Sequence, residues 1–436
     1  MKTDVIIAGT GCSGLYLALS LPRDKQILLI SKSDLESNDS YLAQGGMCTL
    51  KDMSDYDSFF EDTMKAGHYE NDKKSVEIMI KSSPDVLKDC IACGADFHKK
   101  EDGSLDYTKE GAHSSPRIVF HEDETGKEIT SHLLMAVKKL PNVKLCEYTT
   151  LIDIIEKDNV CLGAVLADKD GKVFKVNADV VALATGGIGG LYEHSTNFKH
   201  LTGDALAIAI NHNVELKDID YIQIHPTTFY SENPEDRSFL ISESARGEGA
   251  KLYDKNYERF TNELLPRDLL TKEILKQMEK DGTKHVWEDL SKIPAKELKS
   301  HFPNITAHCK EQGYDCFNEC IPVVPAQHYF MGGVKVNYES KTSMENLYVV
   351  GEAACNGVHG KNRLASNSLL ESLVFAKRAA IDMVENPGPK KSTSDVEYFE
   401  AADLSKYDDL KALEENYKKI ILEAIKLAEE TRAKEN

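Results

Sequence analysis

Apolar runs alternate with glycine-rich breaks from the start of the chain. Residues 4–8 (DVIIA) are apolar and β-branched after Asp4, the pattern of a short buried strand. The break Gly9-Thr10-Gly11-Cys12-Ser13-Gly14 follows. Residues 15–21 (LYLALSL) then read as a helix stopped at Pro22, and residues 26–31 (QILLIS) as a second strand. Two further strands running into glycine or an acid are predicted at 179–187 (DVVALATGG) and 346–354 (NLYVVGEAA), and a helix at 202–212 opening with Gly203-Asp204. Between 219 and 330 the rhythm is lost, and Pro226, Pro266, Pro294, Pro303, Pro322 and Pro325 punctuate the chain. The pattern changes again after Pro387. Residues 391–397 (KSTSDVE) read as a linker. Residues 407–433 read as an amphipathic helix with Leu410, Leu413, Tyr417, Ile420, Ile421, Ile425 and Ala428 on one side. The predicted class is α/β. A discontinuous nucleotide-binding domain spans 1–218 and 331–386, an inserted α+β domain spans 219–330, and a linker and short helical tail span 387–436.

The glycine loop carries specific chemistry. A GxGxxG between a strand and a helix uses Gly9 for the tight turn and Gly11 for close approach of a pyrophosphate. Gly14 lets helix and strand pack closely. The phosphates then meet the free N–H groups and positive dipole end of the helix. An NAD site would normally place an acid at the end of the second strand to bind the ribose. Here that strand ends at Ser31-Lys32, and the first acid is Asp34. Together with the two later glycine-punctuated strands, this favours a flavin dinucleotide, FAD. Glu352, just past the end of its strand, is placed to bond the ribityl chain, because ligands in open α/β sheets lie beyond the carboxyl ends of the strands.

Composition narrows the class. At 436 residues the chain is long enough for two or three domains. Apolar residues are 41% and charged residues 29%, as in ordinary globular proteins. A net charge of −19 offers no basic footprint for nucleic acid. No apolar run reaches the length of a membrane span, and the first apolar stretch is too short for a signal peptide, so a cytoplasmic chain is expected. The ten cysteines are scattered, and Cys90-x-x-Cys93 has no second pair at zinc spacing. They are expected to be free thiols in a reducing compartment, with no metal site.

Several stretches are too polar and too glycine-rich for packing alone. They are Ser40-Tyr41-Leu42-Ala43-Gln44-Gly45-Gly46, Glu110-Gly111-Ala112-His113-Ser114, Gln223-Ile224-His225-Pro226-Thr227, Ser242-Glu243-Ser244-Ala245-Arg246-Gly247-Glu248-Gly249, Pro266-Arg267-Asp268, the segment 325–333 containing His328, and the segment 359–369 containing Arg363. The chain has 44 Lys but only nine Arg, and three of those nine (Arg246, Arg267, Arg363) fall in these stretches. Arginine holds a carboxylate bidentately and stays charged, so the pattern points to an anionic substrate. His225 and His328 add donors close to neutrality in pKa.

In this order AQGG, QxHPT, RGEG, PRD, HYxxGG and NRLASNSLLE resemble the flavoprotein-subunit family of succinate dehydrogenase and fumarate reductase, and within it the L-aspartate oxidases, from about residue 3 to about residue 386. The resemblance implies a Rossmann-like FAD-binding domain interrupted by a capping domain. It implies FAD contacts at Thr10, Gly11, Cys12, Ser13, Lys32, Ser40 through Gly46, Asp204, Glu352, Ser368 and Leu369. It also implies a carboxylate-binding set of His225, Ser242, His328 and Arg363, with Arg267 as proton donor or acceptor and Glu243 and Arg246 in support. The dehydrogenase and reductase branches carry a flavin-linking His before AQGG; here Asn38-Asp39-Ser40-Tyr41-Leu42 has none, which implies non-covalent FAD. Glu110 matches the residue thought to meet the substrate ammonium in the oxidase branch. A buried carboxylate is costly beside a plain dicarboxylate but helpful for aspartate. The implied reaction transfers a hydride from aspartate Cα to the flavin and gives iminoaspartate, with O2 or fumarate as the final acceptor. The implied successor is quinolinate synthase, on the route to NAD. A soluble fumarate reductase is the alternative. The family's terminal helical domain is longer than the roughly 50 residues after Pro387, and the tail is expected to be dispensable for the chemistry.

Overall fold

The computed structural model describes residues 2–232 and 237–435, so Met1 and Asn436 at the ends of the expected domains, and 233–236 within the inserted one, lie outside the described residues. Lys2–Ala8 and Ile27–Ile30 are parallel strands joined by the helix Cys12–Ser20, which begins three residues earlier than the apolar run suggested. They sit in a seven-stranded sheet. Val143–Cys146, Ile27–Ile30, Lys2–Ala8 and Val173–Leu183 run side by side in parallel. Leu347–Val349 joins the far edge of Val173–Leu183, also in parallel. The first half of Val173–Leu183 pairs with the antiparallel strand Val160–Ala167, which in turn pairs with Thr150–Lys157. Alternate side chains of the central strand explain the two-sided core. Val5 and Ile7 pack with the helices Cys12–Ser20 and Asn367–Glu385 on one face. Ile6 and Ala8 pack with Asp204–Asn211 on the other.

Residues 222–330 build a second, antiparallel sheet, in the order Ile222–Phe229, Ile321–Phe330, Val286–Asp289, Lys251–Tyr253. It has its own apolar core, where Leu270 and Ile274 of the helix Arg267–Asp281 meet Val286, Ile321 and Val323. Ile219 and Phe330, at the expected boundaries of the insert, pack in the core of the large sheet instead.

The tail differs from expectation. The 391–397 stretch is not a linker: Ser392 caps a helix at Thr393–Ala401, its hydroxyl and the Asp395 carboxylate forming a reciprocal capping box. Asp395 reads equally as loop or cap in composition, and the cap prevails because Phe399 buries itself on the strand Val160–Ala167. The final helix, Leu410–Glu435, lays Tyr417, Ile421 and Ile425 into the core of its own large sheet. Arg432 near its end grips the Asp220 carboxylate through Nε and Nη2 at 2.5 and 3.0 Å, just ahead of the second sheet.

Among the described residues no helix is long and apolar enough to cross a membrane, and no group of His, Cys, Asp or Glu could hold a metal ion. All ten cysteines are free, and seven of them are buried.

Candidate active site

A cavity of about 1530 Å³, part of it open to solvent, runs from the carboxyl ends of the parallel strands to the second sheet. Its two ends are built differently.

The sheet end is mostly main chain. Gly9, Thr10, Gly11 and Ser13 line it at the mouth of the first helix. Gly9 has φ +121°, and a Cβ there would stand 2.0 Å from the Ala184 carbonyl oxygen. A Cβ on Gly14 would stand 2.0 Å from the Gly9 carbonyl, so helix and strand approach as closely as they do only because both positions are bare. Ser40, Leu42, Ala43, Gln44, Gly45 and Gly46 form one wall. Lys32 Nζ bonds both Asp204 carboxylate oxygens at 3.1 Å, and both residues face the cavity. Glu352 also lines the cavity and accepts from the Phe330 N–H at 2.8 Å. Burial, with Asp39 nearby, pushes its carboxyl up to about 8. Ser368 and Leu369, at the start of the helix Asn367–Glu385, complete this end.

Three expected site residues do not line the cavity, and Gly14 has the packing part expected of it. Cys12 does not line the cavity; its N–H is occupied by Ser40 Oγ at 3.1 Å, and its thiol is buried in the core. Gly14 packs behind the loop, for the reason above. Tyr41 is absent from the wall that its neighbours form. Arg246 is absent too: it is buried behind the site, donating from Nε to the Glu263 carbonyl at 3.2 Å and from Nη1 to Thr227 Oγ1.

The other end is made of side chains. Arg363, Arg267, His225, His328, Ser242, Glu243 and Glu110 all line it, brought together from two strands of the second sheet, two helix starts and two loops. Arg267 is held by Glu243 (Nε to Oε2, 2.6 Å) and by Gln223 (Nη1 to Oε1, 2.9 Å). Arg363 donates from Nη1 to Ser368 Oγ at 2.9 Å and stacks over the Tyr329 ring at 4.5 Å. Burial and the Arg267 charge lower its pKa to about 10, so it remains a cation at neutral pH. The rings of His225 and His328 lie 5.1 Å apart. Burial and the Arg267 charge push both well below the usual histidine value, so both are neutral donor–acceptors here. His328 Nδ1 contacts Thr196 Oγ1 at 2.7 Å, and His225 Nδ1 contacts the Thr227 carbonyl at 2.9 Å, leaving the Nε2 atoms for the cavity side. Two carboxylates share this end. Burial raises both, but Arg267 and Arg246 outweigh it at Glu243, which lies below the ordinary range. Glu110 lies above it, because burial and the neighbouring Glu243 charge add.

The residues fit a flavin dinucleotide and a small anion. Gln44 Oε1 and Thr185 Oγ1 toward the sheet end, and His225 Nε2 and Arg363 Nε at the other, are buried polar atoms without a protein partner. Such atoms are costly to bury unless a guest satisfies them. Sequence reasoning overlooked Asp39, Thr196, Asn197, His200 and Arg237, which also line the cavity. The polar stretch before Gly203 was the available signal for three of them. Arg237 carried none beyond being one of nine arginines.

The chain matches the FAD-binding-domain family over residues 4–369. It is 49% identical over 404 residues to an L-aspartate oxidase of Clostridium perfringens (strain 13 / Type A), covering 93% of this chain and 91% of that one. It is 48% identical over 380 residues to an L-aspartate oxidase of Clostridium acetobutylicum, covering 87% of each. Among solved structures it resembles the FrdA chain of E. coli quinol fumarate reductase, with a TM-score of 0.82 at 26% identity, covering 98% of this chain and 74% of that one. A bare-glycine dinucleotide cradle opening onto a buried cluster of arginines, histidines and carboxylates, and relatives matched nearly end to end, lead to one assignment: the chain belongs to the FAD-binding flavoprotein family, on its L-aspartate oxidase branch.

Proposed function

We propose that this protein oxidises L-aspartate to iminoaspartate with non-covalent FAD, and passes the electrons to O2 or fumarate. The observation that carries the reading is Glu110. It is a buried carboxylate in the same cavity wall as Arg363, Arg267, His225 and His328. A dicarboxylate without an amine gives it nothing to pair with, whereas the ammonium of aspartate does. When bound, FAD supplies the acceptor for the hydride that leaves Cα.

The protein's own part is to bind, orient and move protons. In this reading Arg363, His225, His328 and Ser242 hold the two carboxylates, and Glu110 holds the nitrogen. Glu243 fixes the Arg267 guanidinium for proton transfer, and Arg246 supports from behind the site. Neutral His225 and His328 donate without adding charge that would hold the product. The separate core of the second sheet supports the division of 219–330 from 1–218 with 331–386, while the 387–436 tail shares the core of the large sheet. The absence of any histidine in the wall 37–46 supports non-covalent FAD. Ten free thiols support a cytoplasmic location. Iminoaspartate hydrolyses readily, so a prompt consumer is required, and a quinolinate synthase on the route to NAD fits that need.

The fumarate reductase likeness favours one second reading, a soluble fumarate reductase. One assay separates the two. Holoprotein given L-aspartate and fumarate should form oxaloacetate and ammonia, from the hydrolysed imine, in step with succinate. Succinate formed only with an added reductant, and none with aspartate, would overturn the oxidase reading.

A further inference from the structure

Glu110 is an awkward group to keep in an anion site. It sits near Glu243 and faces a cavity lined for carboxylates, where its charge would repel a dicarboxylate guest. A free glutamate would swing away or take up a proton. Here both tendencies are opposed, because each oxygen is held by a different hydroxyl. Ser244 Oγ donates to Oε1 at 3.0 Å, and Ser366 Oγ donates to Oε2 at 2.5 Å. The two serines come from different parts of the molecule. Ser244 lies on the short helix Glu243–Gly247 of the inserted region, and Ser366 just before the helix Asn367–Glu385. Neither was assigned a role in the motifs that contain it.

Two further observations show that the position is built. Ser366 has φ 61° and ψ 9°, the left-handed region that non-glycine residues seldom occupy, and it is buried there. Its carbonyl accepts from Cys48 N–H at 2.9 Å, and the preceding carbonyl, of Ala365, is contacted by His113 Nε2 at 3.1 Å from the loop that carries Glu110. A Cβ on Gly45 would stand 2.3 Å from Glu110 Oε1. The second-last glycine of the AQGG motif therefore leaves the space that the carboxylate fills.

We infer that Ser244 and Ser366 are positioning residues that hold Glu110 ionised and aimed at the nitrogen of an amino-dicarboxylate, with Gly45 providing its seat; the inference rests on the aspartate reading above. A carboxylate has about four lone-pair sites, so one hydroxyl per oxygen still leaves room for an ammonium N–H. The hydroxyls favour the charged form of Glu110, opposing its burial. Because the donors come from two regions, the ammonium site is complete only when both regions are in register around the cavity.

The test is the ratio of two activities in one holoprotein. Ser244→Ala should lower kcat/KM for L-aspartate oxidation by about tenfold, the size of a lost hydrogen bond to a charged group. Dye-driven fumarate reduction should fall by much less. The alkaline shift of Glu110 ionisation should also move the acid limb of the aspartate pH–rate profile upward. Ser244→Thr, which keeps the hydroxyl, should restore both readouts. Ser366→Gly, which removes the hydroxyl while relaxing the left-handed backbone, should repeat the selective loss. Flavin content and melting temperature identify any variant that fails to fold, and Ser244→Thr and Ser366→Gly then carry the decision. If the wild type oxidises aspartate but the variants lose both activities equally, or Thr fails to restore the ratio, the positioning role is wrong while the aspartate reading stands. If the wild type reduces fumarate but does not oxidise aspartate, the aspartate reading fails and the positioning role falls with it.

Discussion

The two ends of the cavity use different materials. The sheet end is shaped by what is missing: bare glycines, a helix mouth and backbone N–H groups at the carboxyl edge of the parallel strands. The far end is shaped by what is present, as charged and polar side chains from segments more than a hundred residues apart converge on a small volume. The first end needs backbone proximity, so it tolerates no added atom. The second needs directed groups, so it tolerates no lost one. That difference predicts opposite kinds of damage.

The largest effect should come from adding one methyl at the sheet end. Gly14→Ala puts a Cβ against the Gly9 carbonyl, backbone on backbone, with no flexible side chain to yield. The variant should purify without bound FAD or fail to fold, read from the flavin absorbance per protein. A variant that keeps full flavin would break the comparison.

At the far end a subtler exchange should matter next most. Arg363→Lys keeps the charge but loses the planar fork and the stack on Tyr329. A loss of about 2–3 kcal/mol in kcat/KM for aspartate is expected, with flavin content unchanged. An unaltered kcat/KM would mean that Arg363 does not hold a substrate carboxylate.

Glu352 offers a smaller and pH-dependent test. Its carboxyl is raised to about 8 in the fold, against an ordinary value near 4.5. Between those values the folded protein keeps a proton that the unfolded chain has released, so this group makes the FAD-free protein lose stability as pH rises. Glu352→Gln removes that dependence. The FAD-free variant should melt higher than wild type at pH 8, with the difference shrinking toward pH 5, and should bind FAD more weakly. Parallel melting curves at both pH values would contradict the burial of an uncompensated carboxyl there.

The smallest effect on the chemistry belongs to the tail. Ile421 is fully buried and packs near Gly203, at the start of the helix Asp204–Asn211. Ile421→Ala should cost about 2–5 kcal/mol of stability while leaving turnover per bound flavin unchanged. A changed turnover would show that the tail reaches the active site through its packing.

How much could be read in advance follows the same division. The glycine loop announces itself because it is contiguous: strand, turn and helix lie within twenty residues and each constrains the next. The motif arginines and histidines stood out by composition, yet their convergence is a tertiary fact that spacing does not encode. Arg246 shows the limit. It sits in a functional motif, but its guanidinium turns away from the cavity to satisfy the Glu263 carbonyl, a partner that no local pattern marks. Cys12 lies within the glycine loop but faces the core, because the helix it opens starts there. Residues 391–397 looked like a linker because Ser, Thr and Asp serve loops and helix caps alike; only the burial of Phe399 decides between them.

The central claim is that the far end receives aspartate and delivers its hydride to the dinucleotide end. The most direct measurement is anaerobic mixing of the FAD-loaded protein with L-aspartate while the visible flavin band is followed. The account predicts bleaching by one equivalent of L-aspartate per FAD, recovery of the band on adding fumarate or air, and no comparable bleaching with succinate. A flavin band that L-aspartate leaves unchanged, or that succinate bleaches as readily, would contradict it.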